Sequence, residues 1–224
     1  MNLIFLHGAL GCKKHWNSII ELLDIDAKIH NLDFPSHGDN VDIIKEYTID
    51  SLANYVDNYI QTNKLTDCII IGYSLGGYVA LYLAQKNPTY LKELIILATK
   101  LDWEGPIIQN ECEKLTIQNF QPILSKLQSE QNLEIELLIK ISKEIIFSIH
   151  NFKLNEELLN EINCKITALI GDKDKMIHID EMEFLVNNTP SSKVKILEGQ
   201  PHLLHKMDAQ YLSFKLNHLF FKRN

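Results

Sequence analysis

The chain reads as an α/β protein, a doubly wound parallel sheet with helices on both faces. Two observations predict this class. Short apolar runs of strand length alternate with helix-length amphipathic stretches along most of the 224 residues. The runs are continuously apolar instead of alternating, which is the pattern of strands buried on both faces. The length suits one domain with a substantial core.

NLIFLH (2–7) is the first strand, and a helix is expected over 15–24 before the second strand, AKIHNLDF (27–34). A helix near 48–62 leads to CIIIGY (68–73), which runs through a glycine-rich turn into the helical stretch LGGYVALYLAQKN (75–87) and then ELIILAT (93–99). KITALIG (165–171), a helix near 178–187, KVKILEG (193–199) and a last helix over about 207–221 complete the alternation. Residues 101–161 break the rhythm, with no strand-like run. In LEIELLIKISKEIIFSI (133–149), Leu133, Leu137, Leu138, Ile141, Ile145 and Ile149 can share a helical face. This predicts a helical insertion of about 60 residues between two strands, with residues 1–100 and 162–224 as the core. The insertion would lie either over the active edge of the sheet or along its side.

Composition narrows the function. Hydrophobic residues at 46% and charged residues at 23% are ordinary for a globular protein. The net charge is −7 and the basic residues form no stripe, which argues against nucleic acid as a partner. The longest apolar runs, such as YVALYLA (78–84), fall far short of the roughly 20 residues of a membrane span. The N-terminus has neither a basic n-region nor a small-residue cleavage site, so a cytoplasmic protein is expected. Cys12, Cys68, Cys112 and Cys164 are far apart, and neither a disulfide framework nor a metal site is expected from them.

The chemistry is concentrated at Gly72-Tyr73-Ser74-Leu75-Gly76, a Gly-x-Ser-x-Gly pattern between a strand and a helix. A serine on so sharp a turn needs glycine two residues before and after it. Gly77 would then let the following helix approach the sheet closely. An incidental serine in a glycine-rich turn is the plainer alternative, and the pattern alone does not exclude it. A serine hydroxyl at its free pKa is a poor nucleophile, so a base and an orienting acid must accompany it.

Both are available at later strand ends. After KITALI comes Gly171-Asp172-Lys173-Asp174, and after KVKILE comes Gly199-Gln200-Pro201-His202. His202 follows the turn directly and is preferred as base to His205, which lies nearer the last helix. Asp174 is preferred as the acid to Asp172, which is close enough to the strand to serve as a turn cap; Asp102 is a more distant option. The oxyanion formed in acyl transfer needs two backbone amides. Leu75, after the nucleophile, supplies one, and Ala9 in His7-Gly8-Ala9-Leu10-Gly11 is the choice for the other. His7 is read as a structural residue that holds this loop.

In these features the chain resembles the α/β-hydrolase superfamily over nearly its whole length. HGALG resembles the HGxxG oxyanion loop, LDFPSHGDN the D-x-P-G-H-G loop, GYSLGG the nucleophile elbow, GDKD the acid turn and GQPH the histidine turn. The family patterns also select Asp174 and His202. Ser36 departs from the usual glycine of the second loop, and the family's first antiparallel strand pair has no counterpart, which implies about six parallel strands. The insertion resembles the helical cap that roofs the substrate pocket in many members. Trp103, Ile107 and Phe147 are its expected substrate-binding residues, with Ile108 and Leu137 adding to the apolar wall.

The resemblance implies a serine hydrolase acting on the carboxylic ester or thioester of a small to medium apolar substrate. It implies a small-molecule acyl substrate, with no cofactor and no metal. The short length and the elbow also resemble the menaquinone-pathway lyase SHCHC synthase, although that resemblance usually continues with an arginine suited to an anionic substrate, where this chain has Tyr78. A hydrolase-fold protein that binds a ligand without turnover is a third reading.

Overall fold

The computed structural model describes residues 1–189 and 191–221. Among them six strands form one wholly parallel sheet: β1 (Asn2–Leu6), β2 (Lys28–Leu32), β3 (Cys68–Tyr73), β4 (Leu91–Leu97), β5 (Lys165–Gly171) and β6 (Ser192–Leu197), in spatial order β2-β1-β3-β4-β5-β6. The expected class and strand number are both found. The central strands are dry, with Leu3, Ile4, Phe5 and Leu6 of β1 fully buried, as their continuous apolar runs require.

The chain steps outward from β1 to β2, then crosses back over β1 to β3 and winds the other way. That reversal lies between β1 and β3, whose C-terminal ends carry HGALG and the serine turn. Ligand sites of open α/β sheets form at such switch points. With crossovers of the usual right hand, this reversal of winding puts the helices on opposite faces. Helix α1 (Asn17–Ile20) packs against the last helix, Ala209–Phe221, while α2 (Ile49–Thr62) packs against α3 (Leu75–Ala84).

Local chemistry explains the element ends. Thr48 and Ser51 form a capping box that starts α2, the Thr48 hydroxyl accepting from the Ser51 N–H at 3.1 Å. The first helix is shorter than its apolar pattern suggests, because the last helix captures the backbone where α1 would continue. The Asn217 amide accepts from the Asp24 N–H at 3.0 Å and donates to the Leu22 carbonyl at 3.3 Å.

Between β4 and β5 the chain is helical: α4 (Gly105–Lys114), α5 (Ile117–Phe120), α6 (Leu124–Glu130), α7 (Ile135–Ser148) and α8 (Glu156–Asn160). Helix α7 buries Leu138, Ile141 and Ile145, with Ile149 buried just past its end, but Leu137 is exposed. A step of 100° per residue turns Leu137 off that face, and Ile135, Ile139 and Ile146 complete the buried stripe instead. The insertion divides between two cores. Ile141, Ile145 and Leu159 join the main one, whereas Leu127, Ile135, Leu138 and Ile139 enclose Leu10 in a smaller second cluster. The remaining helices are α9 (Ile179–Asn188) and α10 (Ala209–Phe221). None of the described helices is long and apolar enough to cross a membrane.

Candidate active site

Ser74 follows β3 directly, with φ 51° and ψ −114°, a left-handed backbone that a non-glycine residue adopts only when its surroundings enforce it. The enforcement is visible. The Ser74 N–H donates to the Leu97 carbonyl at 2.8 Å, and the Ser74 carbonyl accepts from Gly77 and Tyr78 at 3.0 and 3.1 Å. A Cβ on Gly72 would lie 2.5 Å from the Gly76 carbonyl, and one on Gly76 would lie 2.6 Å from the carbonyls of Leu6 and His7. Any larger residue at either position would force the turn open. Gly77 is as restricted, since a Cβ there would overlap the Thr99 hydroxyl beyond β4.

His202 and Asp174 come together with this serine. The Ser74 Oγ lies 3.4 Å from His202 Nε2, and His202 Nδ1 lies 2.8 Å from Asp174 Oδ2. The first contact is loose; proton transfer across it would require shortening to about 3 Å, which such contacts commonly undergo when a substrate binds. The other Asp174 oxygen accepts from the Met176 and Ile177 amides at 2.8 and 3.2 Å, and the carboxylate is fully buried. Burial alone would raise the Asp174 pKa. The His202 hydrogen bond, the attraction of that ring and the two amides outweigh burial and hold the pKa below the usual 3.8.

The competing residues have other partners. Asp172 accepts from the Gly199 N–H at 2.6 Å and so ties the β5 turn to the β6 turn. Asp102 has its backbone N–H bonded to Glu181, while the His202 Nδ1 is engaged by Asp174. His205 lies beside His15 and Lys126 in a separate cavity.

The loop after β1 is built differently. Leu75 is the first residue of α3, so its N–H has no acceptor within the helix. Ala9 is half-buried beside the elbow, where Gly8 leaves room for the Tyr73 ring; a Cβ on Gly8 would lie 2.8 Å from that ring. His7 is fully buried and neutral: its Nδ1–H donates to the Gly8 carbonyl at 2.8 Å and its Nε2 accepts from the Phe34 N–H at 3.1 Å. Burial, then the nearby His37, keeps its pKa well below 6.5. Asp33 accepts from the Lys13 N–H at 2.6 Å and the Asp39 N–H at 2.9 Å. Ser36 holds a left-handed φ of 60°, which explains the glycine usual there, and its hydroxyl bonds the Asp42 carbonyl and the Tyr47 hydroxyl.

The residue that the sequence did not disclose is Gln131, which follows α6. Its Nε2 donates to the Leu10 and Gly11 carbonyls at 3.2 and 3.1 Å, and its Oε1 accepts from the Gly38 N–H at 2.5 Å. One buried amide from the insertion thus joins the two loops that follow β1 and β2.

The expected substrate-binding residues separate. Ile107 lines a cavity of about 680 Å³ that contains His202. Trp103 is buried, its indole N–H donating to the Lys100 carbonyl at 2.9 Å and its ring standing edge-on to Tyr78. Phe147 is 62% exposed and lines a different depression with Cys112 and His150. An amphipathic pattern identifies apolar residues without fixing which of them a neighbouring helix covers. Tyr78 is spent on structure, since its hydroxyl donates to the Phe152 carbonyl and accepts from the Leu154 N–H.

One grouping resembles a set of metal ligands. Cys12 and His15, three residues apart in sequence, meet Glu130 with their ligand atoms within 4.8 Å of one another. His15 already pairs with Glu130 at 3.0 Å, and burial pushes the Cys12 thiol up to about 11, which opposes the thiolate a metal needs.

Over 188 residues the chain is 30% identical to the pimeloyl-acyl-carrier-protein methyl ester esterase of Pseudoalteromonas atlantica, covering 80% of this chain and 68% of that protein. It is 33% identical over 156 residues to a Haemophilus influenzae protein provisionally assigned as 2-succinyl-6-hydroxy-2,4-cyclohexadiene-1-carboxylate synthase, covering 60% of this chain and 62% of that one. The chain therefore spans about two thirds of the length of both. Among solved structures, MenH from S. aureus shares the fold with a TM-score of 0.72, covering 100% of this chain and 95% of that one at 23% identity. A family model described as the alpha/beta hydrolase fold matches residues 2–113, half of the chain, and the chain belongs to the α/β-hydrolase family.

Proposed function

We propose that the chain is a serine hydrolase that cleaves a carboxylic ester or thioester with a small to medium apolar acyl group, through an acyl-enzyme. The observation that carries this is the line from Ser74 Oγ through His202 to the buried Asp174, with the serine on a strained elbow. The similarity to an ester-cleaving enzyme from Pseudoalteromonas atlantica supports the same reading.

In the proposed reaction His202 Nε2 takes the Ser74 proton as Oγ attacks the acyl carbonyl. The resulting oxyanion is held by the Leu75 and Ala9 amides. His202 then protonates the leaving alcohol or thiol as the carbon–oxygen or carbon–sulfur bond breaks. Water, deprotonated by the same histidine, attacks the acyl-enzyme and releases the acid and Ser74. Asp174 fixes the His202 tautomer and stabilises the charged ring. Residues 101–161 serve as the cap, and Leu10, Tyr73, Phe120 and Leu127 line a cavity of about 140 Å³ suited to the acyl group.

The Haemophilus influenzae relative supports a second reading, a lyase that uses the triad as a base. Tyr78 weighs against it, because both of its hydroxyl bonds go to the backbone of residues 152 and 154. A fluorophosphonate probe and p-nitrophenyl esters of increasing acyl length test the proposal. Wild type should be labelled and turn over at least one ester, and Ser74→Ala should do neither. Labelling of neither protein would favour a binding role without turnover, and turnover of the menaquinone precursor alone would favour the lyase.

A further inference from the structure

Two cavities adjoin at Leu203, which lines both, and their chemistry differs. The smaller contains the oxyanion loop residues Ala9 and Leu10 and is mainly apolar; of its ionisable residues, Lys126 and His15 are both paired with Glu130, and His205 is the fourth. The larger, about 680 Å³, contains His202 and five lysines, Lys100, Lys114, Lys173, Lys175 and Lys206, against two carboxylates, Asp102 and Glu111. This excess of positive charge stands out on a chain whose net charge is −7.

Some of the five are already paired. Lys100 is buried against Glu181 at 3.6 Å, Lys114 pairs with Glu111 at 2.6 Å, and Lys173 reaches Asp172 at 3.9 Å. Lys175 and Lys206 form no ion pair among the described residues, and both are exposed to the cavity they line. Their positions follow from the triad. Lys175 is the residue after Asp174, and Lys206 closes the short turn four residues after His202. The two turns that supply the acid and the base therefore each present an unpaired ammonium group to one space.

The reaction assigns that space. His202 must donate its proton to the leaving oxygen or sulfur, so the leaving group lies on the His202 side of the serine, where the lysine-lined cavity begins. We infer that this cavity binds an anionic group, a carboxylate or phosphate, on the leaving-group portion of the substrate. The inference rests on the hydrolase reading and names the class of ester it acts upon: an apolar acyl group joined to a negatively charged alcohol or thiol. A cleft lined by one sign of charge raises the local concentration of such a substrate and steers its approach.

The test uses two esters that differ by one charge at the same distance from the reacting carbon, 4-acetoxybenzoate and its neutral methyl ester. Rates are divided by those of spontaneous hydrolysis to remove the difference in leaving-group acidity. The expected result is a wild-type preference for the anionic ester of about tenfold in kcat/KM at low salt, shrinking as salt is added. Lys175→Gln with Lys206→Gln should bring the ratio close to one, and Lys175→Arg with Lys206→Arg should retain it. Protection of Ser74 from the fluorophosphonate by 4-hydroxybenzoate, compared with its methyl ester, gives the same information without turnover. Labelling of Ser74 with no charge preference in either assay, or a preference that survives the glutamine pair, overturns the inference and leaves the hydrolase reading standing. No labelling and no turnover overturn both.

Discussion

The two halves of the candidate site are held by different means. Ser74, Asp174 and His202 lie within a few residues of the ends of β3, β5 and β6, so the hydrogen bonding of one buried parallel sheet aligns them. The loop after β1 has no such inheritance. It is held by groups brought from elsewhere: the Phe34 N–H on His7, the Asp33 carboxylate on the Lys13 N–H, and the Gln131 amide on the carbonyls of Leu10 and Gly11. A turn leaving a packed sheet is positioned by the sheet, whereas a loop at the switch point needs partners of its own.

The difference can be attacked from either side. Ser74→Ala should lower kcat by about a millionfold, because the nucleophile acts as one unit with its base. Residual turnover within a hundredfold of wild type would show that the elbow is not the reacting centre. Asp174→Asn should lower kcat by about 10⁴ through loss of the correct His202 tautomer. Asp172→Asn should leave kcat close to wild type and reduce stability, since Asp172 only joins two turns; the reverse pair of results would exchange their roles.

On the loop side, Gln131→Leu preserves bulk but leaves two carbonyls and the Gly38 amide without this partner. If Gln131 positions the Ala9 amide, kcat should fall by roughly ten- to a hundredfold with KM nearly unchanged, a fraction of the effect of losing one oxyanion donor. A rise in KM at constant kcat would show that Gln131 shapes binding instead.

Two smaller effects concern the frame. Gly77→Ala should cost about 1–3 kcal/mol in urea unfolding because the new methyl meets Thr99, and Thr99→Ala in the same chain should recover most of it. Additive losses would mean that the two do not touch. His7 has a folded pKa well below 6.5, so between those values the unfolded chain binds a proton that the folded chain does not. Stability should therefore fall as pH drops from about 7 to about 5 and level off above that window. The buried His37 acts in the same direction. A flat denaturation midpoint over this range would contradict the neutral, hydrogen-bonded state of His7.

What could be read from the sequence follows the same division. Strands buried on both faces announce themselves as unbroken apolar runs, and the residues at their ends inherit a known place, which is how the sequence points to Ser74, Asp174 and His202 as candidates that the fold brings together. Gln131 carries no local signal. It is one glutamine in a polar stretch, and its role arises only when it meets Leu10, 121 residues away in sequence. Phe147 shows the converse: its apolar side chain and helical setting suggest a pocket wall, but the depression it lines, between α4 and α7, is not the one that contains His202, and the ring is 62% exposed. The lysine-lined cavity was likewise hidden, because its charges come from separate turns and helices that composition averages into a net −7.

The Gln131 bonds bear on how this scaffold could be engineered. Its helical insertion invites treatment as an interchangeable module, to be shortened or swapped to alter substrate choice. Here a transplant that omits an amide at this point would remove a brace from the loop beneath it, so a graft chosen for its pocket would also have to supply that brace.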